Sequence, residues 1–275
     1  MPRLCLLMTS LLVMICIVFQ SWLPNLHGAE EAKGGITDEE LSGFLSILGQ
    51  HDLYYTACAT CHGVKGDGKG PSAYQLNPRP LDFTRGLYKC RSTPWDSLPT
   101  DEDMFRTITR GMPGTKMPSW GLLLSEEQRW LLVQYIKTFS KRWEKEEPKA
   151  PIVIPDPPHD LGTPESIARG KEIYLTKGGC FTCHGEKGRG DGPIAHGLTD
   201  AWGFPIKPRD FTKGIYICGD SEKDIYRTLV TGLNGTPMPS YADSIQNEKE
   251  RWYLVYYIRS LERKKNLFDY LVKGD

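Results

Sequence analysis

The sequence predicts an all-α protein of two tandem domains, and three observations carry that expectation. A shift of 122 residues lays one half on the other: Arg129-Trp130 and Leu132-Val133 fall on Arg251-Trp252 and Leu254-Val255, and Tyr135-Ile136 falls on Tyr257-Ile258. A period this long is a duplicated domain, because solenoid repeats are much shorter. Helix-start signals recur in the same order in both halves. No alternating apolar–polar run of strand type competes with them.

The helices follow in chain order. Thr37-Asp38-Glu39-Glu40 reads as a capping box opening a first helix, and Thr163-Pro164 opens its counterpart with proline at the tolerated first position. A middle helix is expected from Asp101 to about Arg110 behind Thr100, and from Glu222 to about Val230 behind Ser221. A last helix starts at Ser125-Glu126-Glu127-Gln128 and again at Asn247-Glu248-Lys249-Glu250. Trp130, Val133 and Ile136 recur at helical spacing, as do Trp252, Val255 and Ile258, so each last helix has an apolar face. Gly49 and Gly170 are the expected points of close crossing with the first helix.

The chain divides into residues 1–29, a domain over 30–147, a linker over 148–162 and a second domain over 163–275. At its start, Arg3 precedes an uncharged apolar run from Leu4 to Phe19, which reads as an export signal ending near Gly28-Ala29. Counted through Leu23 the run reaches 20 residues, so an uncleaved membrane anchor is the alternative. Either way the expected location is exported, in the periplasm or an equivalent extracytoplasmic compartment. The linker carries prolines at 148, 151, 155, 157 and 158. A polyproline-type strand rises ~3.1 Å per residue and spans ~45 Å here, enough to cross a domain face; a loose tether is the other reading.

The chemistry sits in a pentapeptide written twice, Cys58-Ala59-Thr60-Cys61-His62 and Cys180-Phe181-Thr182-Cys183-His184. Two thiols at this spacing form thioethers with the vinyl groups of a haem, and the adjoining histidine becomes the proximal ligand of the iron. Two covalent haem c groups are therefore expected. Methionine is the expected sixth ligand, and it raises the potential relative to a second histidine. Repeat two holds one methionine, Met238, in Gly235-Thr236-Pro237-Met238-Pro239-Ser240; this stretch meets Gly114-Thr115-Lys116-Met117-Pro118-Ser119. Met104 and Met112 correspond to Ile225 and Leu233, so they read as core residues. His51, His159 and His196 have no counterparts in the other repeat.

Other features carry weaker signals. Gly63 to Gly70 resembles a phosphate loop, but Gly70 replaces the Ser or Thr that would hold magnesium and no strand precedes it. Glycines here suit a backbone passing close to the haem edge. Arg79 and Lys207 pair with haem propionates or are ordinary surface charges. Cys90 and Cys218, equivalent positions 128 apart, are two buried thiols or one interdomain disulfide. With 34 basic and 34 acidic residues the net charge is zero, and no basic nucleic-acid footprint is present.

With both haem motifs, both Met-Pro loops and the Trp-containing last helices in place, the chain resembles the class I cytochrome c family. More closely it resembles the tandem dihaem cytochromes c of bacterial respiratory chains. The resemblance implies thioether anchors at Cys58, Cys61, Cys180 and Cys183, and axial pairs His62/Met117 and His184/Met238. It implies an electron carrier, or an electron-transfer subunit without catalytic residues of its own. Its partners would be redox proteins: a membrane respiratory complex, a dehydrogenase, or a terminal oxidase or reductase, with membrane association through the N-terminal segment possible under the anchor reading. The alternative is a dihaem redox enzyme, peroxidase-like or thiosulfate-oxidising, with one haem open to substrate. Cys90 and Cys218 depart from the family pattern and leave a thiol-ligand role open.

Overall fold

The computed structural model describes residues 38–263. The expected export signal and the Thr37 cap lie outside them. The described residues from Ile47 on form one compact unit, and the helical stretch Asp38–Ser46 belongs to another.

Both halves present the same elements in the same order. In the first, α1 (Asp38–Ala57) leads to the one-turn α2 (Ala59–His62), then α3 (Asp101–Arg110), α4 (Glu126–Lys137) and the short α5 (Arg142–Lys145). The second runs α6 (Pro164–Leu175), α7 (Phe181–His184), α8 (Glu222–Thr231) and α9 (Glu248–Ser260). Short 3-10 turns at Phe83–Arg85 and Phe211–Lys213 occupy matching places. Among the described residues there is no strand; an isolated bridge joins Thr199 to Pro205. Nor is any described helix long and apolar enough to cross a membrane.

The caps hold the helix starts. Thr100 and Asp103 form a reciprocal box at α3, as do Ser125 and Gln128 at α4. Thr163, Ser221 and Asn247 each accept a hydrogen bond from a first-turn backbone N–H. Each such cap contributes about 1 kcal/mol. The apolar faces then close two cores. One gathers Tyr54, Phe83, Leu98, Met104, Ile108, Leu132, Val133 and Ile136; the other gathers Ile173, Tyr174, Ile225, Tyr226, Leu229, Trp252, Val255 and Ile258. Met104 is buried as its Ile225 counterpart is, which fits a core role.

One expected crossing point is right and one is not. A Cβ on Gly170 would collide with the Tyr253 carbonyl oxygen, so α6 and α9 meet there backbone to backbone. Gly49 is exposed and a Cβ on it would meet nothing within 4 Å. The reason is register. Tyr54 and Tyr174 match at a shift of 120, so the true counterpart of Gly170 is residue 50. One residue is about 100° around a helix, which turns Gly49 to solvent.

The halves are joined where their counterpart cysteines meet. Cys90 and Cys218 form a disulfide with Cα atoms 5.2 Å apart, resolving the question left open by the sequence. Beside it the Arg91 guanidinium donates to the Thr231 carbonyl at the end of α8, and Arg110 reaches Asp224 at 3.4 Å. Burial pushes Arg91 down to about 10. The linker is pinned to both halves. Its Lys149 and Ile152 N–H groups donate to Ser97 Oγ and the Ser92 carbonyl of the first, while Ile152 and Ile154 pack on the core of the second.

Candidate functional site: two haem-attachment centres

Each Cys-x-x-Cys-His motif winds into a single helical turn whose end is fixed by glycine. Gly63 and Gly185 follow the histidines at φ +78° and +77°, a conformation that favours glycine. Gly70 packs against the Thr60 carbonyl and Gly192 against the Thr182 carbonyl, so the glycine loops approach the motif helix itself. Cys58 and Cys180 are buried and Cys61 and Cys183 are half-buried, all four with free thiols. Burial first, then the neighbouring motif cysteine, pushes Cys58 up to about 12; burial does the same for Cys180. Burial at the first cysteine of each motif would keep a thioether there away from solvent.

The histidines are aimed by the backbone. His62 Nδ1 lies 3.0 Å from the Leu81 carbonyl and His184 Nδ1 lies 3.0 Å from the Arg209 carbonyl. A carbonyl only accepts, so each Nδ1 carries the proton and each Nε2 lone pair is free for a metal. The rings also stack on phenylalanines: His62 on Phe83 at 4.5 Å between centroids and His184 on Phe211 at 4.3 Å. Burial lowers both histidine pKa values. The Lys89 charge opposes protonation of His62 as well, and no cation does this at His184.

Two tyrosines complete the support. Tyr54 Oη donates to the Gly63 carbonyl at 2.8 Å and Tyr174 Oη to the Gly185 carbonyl at 2.7 Å, locking the turn after each histidine. Both phenols are pushed up, chiefly by burial. These tyrosines, the two phenylalanines and the two carbonyls were not read from the sequence as site residues. The Asp-Phe-Thr stretch repeated at 82–84 and 210–212 was the available signal.

The methionine loops are built alike. Met117 N–H donates to Thr115 Oγ1 at 3.1 Å, and Met238 N–H donates to Thr236 Oγ1 at 3.2 Å. Ser119 Oγ ties one loop to the Thr109 carbonyl of α3; Ser240 Oγ ties the other to the Val230 carbonyl of α8. Met238 packs on the core that contains Cys180, and Trp120, three residues after Met117, packs on the core that contains Cys58. Lys207 is exposed, whereas Arg79 lies over the Phe204 ring at 5.0 Å.

Each centre also touches the other half. The Trp202 ring covers Gly235, where the Met238 loop begins, and its Nε1 donates to Asp82 at 3.1 Å, next to the carbonyl that holds His62. In the opposite sense Arg209, whose carbonyl holds His184, donates from its guanidinium to the Gly114 carbonyl at the start of the Met117 loop, 3.3 Å away. Thus the support of each histidine is tied to the methionine loop of the other half.

The chain's donor set fits covalent haem: paired thiols, a histidine with a free Nε2, and a braced thioether in each half. Comparisons with known proteins agree. Residues 49–136 match the family described as cytochrome C oxidase, cbb3-type, subunit III, and residues 167–262 match cytochrome c. The cbb3-type cytochrome c oxidase subunit CcoP of Azospirillum sp. (strain B510) is 22% identical over 80% of this chain and 63% of its own length. Subunit FixP of Azorhizobium caulinodans is 22% identical over 72% of this chain and 54% of its own length. The chain therefore spans less than two thirds of these curated relatives. A chain of the Kuenenia stuttgartiensis reducing HAO-like protein complex Kustc0457/Kustc0458 is 46% identical with a TM-score of 0.75, covering 78% of this chain and 96% of that one. The chain belongs to the cytochrome c family: two cytochrome c domains in tandem, each with one covalently bound haem c.

Proposed function

We propose that the protein is an electron-transfer subunit whose two haem irons are closed, His62 with Met117 and His184 with Met238, and relay single electrons to or from a redox protein partner. The observation that carries this reading is the identical bracing of the two methionine loops through Thr115 and Thr236 and through Ser119 and Ser240. A loop braced this way supports a fixed sulfur as sixth ligand, and an iron with six ligands has no open position for substrate. The disulfide also takes Cys90 and Cys218 out of contention as thiolate ligands.

The partner is a HAO-like protein. This rests on likeness: the 46%-identical chain, matched over 96% of its length, belongs to a complex of that description, while the oxidase subunits share only 22%. The protein works outside the cytoplasm, where an apolar leader would deliver it and where a structural disulfide persists.

The test is Met238→Ala in the purified holoprotein. The potential of one haem falls and that haem gains cyanide binding, while the other is unchanged. A variant with both potentials intact and no ligand binding overturns the axial assignment. Affinity purification of the native protein should bring down a HAO-like chain; recovery with an oxidase instead overturns the choice of partner.

A further inference from the structure

A cleft of about 620 Å³ opens beside the first haem centre, with Leu81, the carbonyl partner of His62, in its wall. Lys89 lines it together with Arg79 and Trp202. Three carboxylates share this wall; each accepts N–H groups and keeps its charge, and Asp200 is the one whose charge acts on Lys89. Asp67 accepts from the Lys69 N–H, Asp82 from the Thr84 N–H and Trp202 Nε1, and Asp200 from the Trp202 and Phe204 N–H groups. The half-buried Lys89 ammonium has no ion pair or hydrogen bond among the described residues; it stands 5.8 Å from the centroid of the Trp202 ring. The counterpart of Lys89 in the second domain is Ile217.

A second cation converges on the same centre. Arg209 is half-buried and carries no carboxylate partner among the described residues, and its guanidinium ends at Gly114, where the Met117 loop begins. Its counterpart in the first domain is Leu81. The Lys89 departure brings positive charge to the first centre, where it acts on His62, and the Arg209 departure brings a guanidinium to the start of that centre's methionine loop. Arg85 also lies over Trp202, at 5.2 Å, but it is exposed and screened by water.

Reduction lowers the charge on iron by one, so a cation held in a low-dielectric wall without an ion pair or hydrogen bond favours the reduced form, with Asp200 opposing it in part. We propose that Lys89, aided by Arg209, makes the haem of the first domain the higher-potential of the two, so that the electron of the half-reduced protein rests there. The second domain is then the side from which electrons come, and the first the side from which they leave. This rests on the reading of both haems as closed one-electron carriers.

The test is an anaerobic potentiometric titration of the holoprotein, followed in the visible spectrum as two one-electron waves. Met117→Ala identifies the wave of the first domain, which is expected to be the upper one. Lys89→Met moves that upper wave down by a tenfold change in the reduced-to-oxidised ratio, 59 mV for one electron, and leaves the lower wave in place. Arg209→Met moves the same wave by less, and Lys89→Arg restores the wild-type value. Should Lys89→Met fail to fold, Asp200→Asn reads the same field with opposite sign and raises the upper wave. An upper wave belonging to the second domain, or one unmoved by both Lys89→Met and Arg209→Met, overturns the proposal. The near-infrared sulfur-to-iron band is read on the same wild-type sample. Its absence overturns the ligation reading, whatever the waves do.

Discussion

The first and second domains share a plan but hold themselves together differently. In the second, α6 and α9 touch backbone to backbone at Gly170 and Tyr253, and Trp252 is 1% exposed. In the first, Trp130 is only half-buried and stacks on Phe105 with centroids 4.2 Å apart. The second also carries the extra residues around Trp202, which reach across to Asp82 and to Arg85. The first answers with buried Arg91 and with Lys89. One copy of the repeat has thus become the tighter scaffold, and the other sets a buried arginine and a half-buried lysine where the two halves meet. Duplication gave both domains the same haem chemistry; divergence placed the differences at the interface.

That contrast breaks most visibly at the disulfide. Replacing Cys90 and Cys218 together by serine opens a link spanning 128 residues. It should cost about 4 kcal/mol. Denaturant unfolding of the holoprotein should then separate into two transitions, with the first domain melting earlier. A single unshifted transition would show that the other interface contacts suffice.

The glycines give the next effect. Gly170→Ala should cost about 2–3 kcal/mol, because α6 and α9 must move apart. Gly49→Ala should instead stabilise by about 0.5–1 kcal/mol, as expected for an exposed helix position. Equal effects in the two variants would erase the difference drawn between the domains.

A smaller effect concerns pH. At Asp224 burial works against ionisation, but the Ser221 hydroxyl and the Arg227 and Arg110 guanidinium groups win and hold the carboxyl below its usual range. A depressed folded-state pKa contributes stability above the ordinary aspartate value near 4, and that contribution is lost as pH falls through the folded value. Asp224→Asn should therefore flatten the acid limb of the stability curve. At its counterpart in the first domain, Asp103 accepts from the Ser92 N–H at 2.7 Å and is bonded to Arg106, with no hydrogen bond or ion pair to the other half among the described residues. Its replacement should leave interdomain cooperativity unchanged.

The caps come last. Ser125→Ala and Ser221→Ala should each cost about 1 kcal/mol, one in each domain.

Much of this was legible in the sequence because it was written as residue type at fixed spacing. The pentapeptides, the caps at Thr100, Ser125, Ser221 and Asn247, and the two Met-Pro loops all belong to that class. What escaped is carried by backbone or by distance. The Leu81 and Arg209 carbonyls aim the histidines, and a carbonyl leaves no mark in a sequence, since Leu and Arg share nothing else. Phe83 and Phe211 were visible as a repeated stretch, but their stacking on the histidines depends on chain reversals over 21 and 27 residues. Gly49 was misread because the first helix runs at a shift of 120 against 122 for the haem motif, which puts residue 50, not Gly49, opposite Gly170. The Cys90–Cys218 bond needed the separation of two Cα atoms, which equivalence in a repeat suggests but does not supply.

The central claim, two closed haems each held by histidine and methionine, is tested most directly by the near-infrared spectrum of the oxidised holoprotein. The sulfur-to-iron band should integrate to two haems and persist in excess cyanide at concentrations that open-site haems bind. Met117→Ala and Met238→Ala should each remove half of it. A band equal to one haem, or one that cyanide halves in the wild type, would contradict the account and return the protein to the class of dihaem enzymes with an open site.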